Sequence, residues 1–343
     1  MDPSQLLDRL ARVPTPELTL TPAVVAGVED SVRYLSSDAA RRSIEWDVYW
    51  PKWHAPWWHM LLLFELGEAR RIPEAATGWM LEGLKALRVK TFPFSAADLP
   101  PGCDIMKDSV CHCAVGCIYS VLAATGVDVD RELPWIQEWF LRYQLADGGL
   151  NCDNGSYLVK DEVPSSMVGT VAPLEAMLLE SSSNDRRSER TAFVDRAGAF
   201  LVERRLVLGS RSRHNAAERA REPIWRQPCF PRFYLYDVVR GLRVLTRWAE
   251  ARQVVIPLSA VEAAATHLLE SAPDGVVHLQ RRAFEGASTR VFEEGQWTWA
   301  PSTSFPLLEA VSSVGDASPS VTRQWSETRR SLMRLLDAKQ IVA

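Results

Sequence analysis

The stretch DSVCHCAVGCIYSVLAATG, residues 108–126, sets Cys111, His112, Cys113 and Cys117 within seven positions and then runs into an apolar segment. Thiolate and imidazole are the donors zinc takes tetrahedrally. A thiolate of lowered pKa is a nucleophile, and an unreactive cysteine packs as a small hydrophobe. These residues alone leave metal site, catalytic thiol and packing all open. Further donors stand far away in the chain: Cys152 after the turn in DGGLNC, Cys229 at the head of CFPRFYLYDVVRGL, and His54 opening WHAPWWH. The metal set drawn from them is Cys113, Cys152, Cys111 and Cys229, with His112 or His54 as further ligands. Cys117, one turn beyond Cys113, is assigned to packing.

Aromatic residues crowd a second stretch, WDVYWPKWHAPWWH (46–59). Such rings wall an apolar cavity and attract cations, or fill the space between helices. Trp53 and Trp57 share a helical face, as do Trp50 and His54. Trp50, Trp53, Trp57, His54 and Tyr234 are therefore the candidate substrate contacts. Asp237, Tyr236 and His112 are the candidate catalytic groups, although Asp237 also suits an ion pair with Arg240 or Arg232. The arginine-rich span 186–227 is read as a solvated outer helix and a loop. A diphosphate contact through Arg204, Arg205, Arg211 or Arg213 is its alternative function.

The elements that must position these groups are helical. Five segments are apolar or small nearly all round, the mark of buried helices: 53–67, 111–126, 165–181, 229–248 and 299–315. Between them run amphipathic stretches with one charged face, among them 74–87, 131–144, 190–206, 258–271 and 325–339. Alternation of the two kinds at a steady period predicts an inner and an outer layer of helices. If the inner helices run parallel, their N-termini share one mouth, which gathers Cys111, Cys113, Cys152, Cys229 and His54. Helix dipoles there lower thiol pKa values. Strand signals are scarce, GVVHLQRRAF (275–284) being the best.

Composition agrees with a folded chain of 343 residues: 47% hydrophobic, 24% charged and a net charge of −4, which argues against a nucleic-acid partner. Six cysteines are too few for a disulfide scaffold of this size. No window suggests a membrane span and the N-terminal residues do not read as a signal peptide, so a cytoplasmic location is expected. Thirteen tryptophans point to a thick core or an aromatic cavity.

Gln144, Asp147, Gly148 and Gly149, with Cys113-Ala-Val-Gly116, SSMVGTVAPLEAML (165–178) and FPRFYLYDVVRGL (230–242), resemble the motifs of the terpenoid-cyclase and protein-prenyltransferase superfamily. The likeness is to its bacterial single-domain squalene-cyclase-like group and runs from about residue 29 to 315. It implies a single all-α domain, an α/α toroid of two concentric helical layers with about five to six helical hairpins, preceded by a loosely packed extension over 1–28. It also implies an enzyme of natural-product or isoprenoid metabolism, acting on a hydrophobic or isoprenoid-like small molecule in a central aromatic-lined cavity. A zinc–thiolate site at the cavity mouth and no nucleotide cofactor are expected. The family's Asp-x-Asp-Asp and Asp-Asp-x-x-Asp motifs are absent, and SSMVGT has no histidine where prenyltransferases place a zinc ligand. Zinc chemistry of the lanthionine-cyclase type, or a non-catalytic lipid- or peptide-binding toroid, are the alternatives.

Overall fold

The computed structural model describes residues 1–180, 186–284 and 288–343. Sixteen α-helices dominate them, as an all-α chain requires. The first five are α1 (Pro3–Arg12), α2 (Pro22–Leu35), α3 (Asp38–Trp46), α4 (Pro56–Leu66) and α5 (Glu74–Ala86). After a long loop come α6 (His112–Ala124), the turn α7 (Val129–Glu132), α8 (Trp135–Tyr143), α9 (Met167–Met177) and α10 (Arg187–Glu203). Two short turns, α11 (Ala216–Arg219) and α12 (Glu222–Trp225), precede α13 (Val238–Arg252), α14 (Glu262–Ser271), α15 (Pro306–Val311) and α16 (Pro319–Asp337). No helix among the described residues is long and apolar enough to cross a membrane.

Helices α4, α6 and α9 are buried on nearly every face, as their all-round apolar sequences demand. They follow one another in contact, α4 on α6 on α9 on α13 on α16, and Arg323 of α16 donates to the Leu66 carbonyl at the end of α4, 2.9 Å. All five contribute to the wall of one cavity. The closest approach is α6 against α9: a Cβ on Gly116 would lie 2.5 Å from the Ala172 carbonyl carbon, so no larger residue fits. Other helices cover their backs, α2 on α4, α10 on α9 and α13, and α1 on α16.

Four expectations are corrected. The span 299–315 is no inner helix: it holds the end of a strand and the six-residue α15, which packs on α2. The cavity wall is completed instead by α16, whose arginines had marked it as an outer helix; Arg323, Gln324 and Glu327 line the cavity from it. Residues 1–28 are not loosely packed: Leu6 and Leu10 of α1 are fully buried, and Arg329 donates to the Leu10 and Val13 carbonyls. Residues 275–284 form only isolated bridges. The strands are instead β1 (Ile256–Pro257), the hairpin β2 (Ser288–Glu293) and β3 (Gln296–Pro301), and β4 (Ile341–Val342), which pairs with β1. The hairpin turns through Glu294 and Gly295, both at positive φ, as a tight two-residue connection requires.

Candidate metal centre

Two segments bring three sulfurs together. The first is the start of α6, where Cys111 is the N-cap residue and Cys113 lies in the first turn. The second is the chain leaving the Asp147-Gly148-Gly149 turn. Gly148 takes φ +89°, and Asp147 accepts from the Gly149 amide and holds Ser165 and Arg204. Gln144 donates to the Gly148 and Phe193 carbonyls, which ties the turn to α10. Beyond it Leu150 pairs with Ser166 at the head of α9. The Asn151 carbonyl accepts from His112 Nδ1 at 2.7 Å, and this bond seats Cys152 against α6.

The result is Cys111, Cys113 and Cys152 with their sulfurs all within 4.8 Å of one another. Cys111 and Cys113 are 3.4 Å apart, and the Cys113 amide donates to Cys152 Sγ at 3.3 Å. Three sulfurs at about 2.3 Å from a tetrahedral zinc are about 3.8 Å from each other, a spacing this cluster reaches with small side-chain rotations. Thiol hydrogen bonds from Cys113 and Cys152 hold the Cys111 thiol well below its ordinary pKa, outweighing its burial. The same sharing pushes Cys113 and Cys152 up. Three soft donors brought together from two segments are a donor set that suits a soft metal.

Cys113 is buried behind the other two, while Cys111 and Cys152 border a cavity of about 380 Å³ whose far wall includes Tyr49, Trp50 and Lys52. Sequence reasoning overlooked Lys52. Its ammonium lies 4.9–5.8 Å from the ring centres of Tyr49, Trp50, Trp53 and Tyr234, and it donates to the Tyr234 hydroxyl at 3.1 Å. Burial lowers its pKa, and the three cysteines oppose that shift. The Lys52 amide donates to Thr289 of β2 at 2.6 Å, and Trp297 of β3 donates to Asp104 and packs on Trp46 and Trp50, so the hairpin is fastened to the segment that carries Lys52. A lone lysine inside an aromatic run was the available signal, because a solvated lysine has no need of four rings.

The other expected residues divide. Trp50 reaches both the lysine and the cavity and is fixed by a bond from Nε1 to the Met106 carbonyl, 3.2 Å, while Tyr234 reaches the lysine. Trp53 is buried, stacked on Phe233 and Tyr234, and presents one face to Lys52. Trp57 is 1% exposed and belongs to the core. Cys229 is not a fourth ligand: eight residues separate it from the first turn of α13, and the chain folds back so that its amide donates to Asp237. Burial, reinforced by the Asp237 carboxylate, raises its thiol to about 12.

His54 bonds Thr303 at 2.7 Å, outside the cluster. His112 is buried among Phe92, Trp139 and Tyr143; burial lowers its pKa to about 4. Its bond to the Asn151 carbonyl ties the Cys152 segment to α6. Asp237 caps α13, accepting from the Arg240 amide at 2.9 Å, and lies 3.6 Å from Arg232. Tyr236 donates to the Leu206 carbonyl at 2.7 Å. Neither borders the cysteine cavity. Of the loop arginines, Arg204 is committed to Asp147 and Arg213 lies near Glu162.

No family model matches the chain, and neither does any curated protein or solved structure.

Proposed function

We propose that the chain is an α/α toroid enzyme that joins a sulfur nucleophile to a hydrophobic, isoprenoid-like electrophile at a zinc held by Cys111, Cys113 and Cys152. One observation carries this: three sulfurs from two distant segments converge, two of them on the wall of a cavity lined by aromatic rings and a cation. The ring of α4, α6, α9, α13 and α16 around a common cavity supports the architecture.

Cys111, Cys113 and Cys152 would hold the divalent cation, and three thiolates would leave it one negative charge in excess, so the chemistry it would supply is the stabilisation of a substrate thiol as thiolate rather than strong Lewis acidity. The residues present do the rest. Lys52 offsets the surplus negative charge. Tyr49 and Trp50 exclude water and receive the apolar part of the electrophile. In the bond-forming step the substrate sulfur gives its electron pair to carbon, the leaving group departs with the pair from the broken bond, and the thiol proton goes to solvent.

Elemental analysis of the purified chain tests the metal: one zinc per chain is expected, and less than a tenth of that in Cys113→Ser or Cys152→Ser. Wild-type protein without zinc, and unable to take it up, overturns the proposal. Cobalt substitution tests the open position, since an added small thiol should alter the thiolate-to-cobalt absorption bands.

A further inference from the structure

A second cavity, about 480 Å³, lies among α4, α6, α9, α13 and α16. It begins at Cys117 on α6, one turn beyond Cys113, and it differs from the cysteine cavity in every chemical respect. Five arginines line it against three glutamates, an excess of two positive charges in a chain whose net charge is −4. The rim is exposed and carries Arg70, Arg323 and Glu327; the floor is buried and carries Arg232, Arg240 and Gln324.

Much of the floor is already satisfied. Glu175 takes Arg240 at 2.5 Å and 3.0 Å, and Arg240 also donates to the Phe233 and Leu235 carbonyls. Glu65 accepts the backbone amides of Arg232 and Phe233. These bonds spend both inner glutamates and fix the guanidinium positions. What they leave over is cationic. Arg243 is half-buried on the wall and forms no hydrogen bond or ion pair with the described residues, while burial acts against its charge. Arg70 has no such partner either, and Arg323 spends only one nitrogen, on Leu66. A half-buried guanidinium without a partner is costly, and guanidinium groups at fixed positions match the oxygens of phosphate and carboxylate.

We propose that this cavity is a binding site for a small oxyanion of two or more negative charges, a diphosphate or a di- or tricarboxylate, gripped by Arg243 with Arg70 and Arg323. An apolar ligand would leave the guanidiniums desolvated; Arg232 already has Asp237 and Arg240 has Glu175, so the ligand answers Arg243, Arg70 and Arg323, against which the rim sets only Glu327. The site is separate from the cysteine centre and stands whether or not that centre holds zinc.

Titration calorimetry of the full chain at constant ionic strength tests it, with pyrophosphate and citrate as probes and chloride as the control. Saturable binding of one anion per chain is expected, with at least a tenfold loss in Arg243→Gln and tighter binding in Glu327→Gln, a change on the exposed rim. Pyrophosphate ahead of citrate assigns the site to a phosphorylated ligand, and the reverse order to a carboxylate. Both probes chelate zinc, so Cys113→Ser is titrated in parallel and must bind them unchanged. Heats that do not saturate, equal affinity in Arg243→Gln, or binding lost in Cys113→Ser would each overturn the proposal.

Discussion

Cys113 and Cys117 sit one turn apart on α6 and open onto chemically opposite surroundings. Cys113 shares its hydrogen bonds with two other thiols beside an aromatic cavity. Cys117 has no sulfur neighbour: its Sγ lies 3.7 Å from the Phe233 carbonyl and 3.8 Å from Arg240. Burial raises its thiol to about 12 even with the guanidinium pulling the other way. The contrast teaches that neighbouring thiols, not a place on α6, lower a thiol pKa. Cys111 is held down first by Cys113 and then by Cys152, which arrives on the segment that His112 locks on.

The largest effect that could break this contrast is chemical. In protein stripped of metal, iodoacetamide at neutral pH should alkylate Cys111, the member of the trio whose thiol is held low, with Cys117 and Cys229 slower by at least about a thousandfold. Mass spectrometry of the peptides reads it, and zinc should protect the trio. Comparable labelling of Cys117 would erase the distinction.

Histidines on and near α4 repeat the contrast between partnered and buried groups. His54 is half-buried on Thr303, whereas His59 is buried against Phe305 and Ser31. Burial lowers His59 from 6.5 to about 3. The folded chain therefore refuses a proton that the unfolded chain accepts below pH 6.5. The stability is complete above pH 6.5 and is lost as pH falls towards about 3, by about 1.4 kcal/mol for each pH unit. Denaturant midpoints across that range should fall more steeply in the wild type than in His59→Gln. Parallel slopes would show that His59 is protonated in the fold.

A third change perturbs both cavities at once. Alanine at Gly116 would press a methyl into the Ala172–Pro173 backbone of α9 and should cost about 2–3 kcal/mol. Because α9 follows the segment that carries Cys152, zinc affinity should drop with stability. A variant as stable as wild type would mean that α6 and α9 can separate freely.

Much of this was readable in the sequence, and the failures have physical causes. Cys111, Cys113 and Cys152 were legible because the Asp-Gly-Gly turn and the start of α6 are local signals that place backbone directly. Cys229 and His54 were misplaced by counting them as helix starts. Eight residues of non-helical chain intervene for Cys229, and their path depends on Asp237 accepting two amides. Asp237 itself looked catalytic, because a buried carboxylate and a helix cap are the same residue type at the same position. The cavity-lining role of α16 was hidden since a helix that borders arginines and glutamates need not be apolar. The hairpin bonded to Lys52 was also missed, though TRVFE and QWTW alternate around Glu294-Gly295. Its partners, Lys52 and Asp104, are almost two hundred residues or more away.

The smallest change tests the comparison most selectively. Cys117→Ala removes a sulfur that makes two long contacts, to the Phe233 carbonyl and to Arg240. Arg240 keeps its glutamate and both carbonyls without it, so the loss should be about 1 kcal/mol, the cost of a small buried void. Zinc content and the alkylation pattern of the trio should not move, since no hydrogen bond runs from Cys117 to Cys111, Cys113 or Cys152. Melting temperature and metal analysis on the same preparation separate the two quantities. If zinc falls along with stability, the turn of helix between Cys113 and Cys117 transmits strain, and the two ends of α6 form one site with a shared fate.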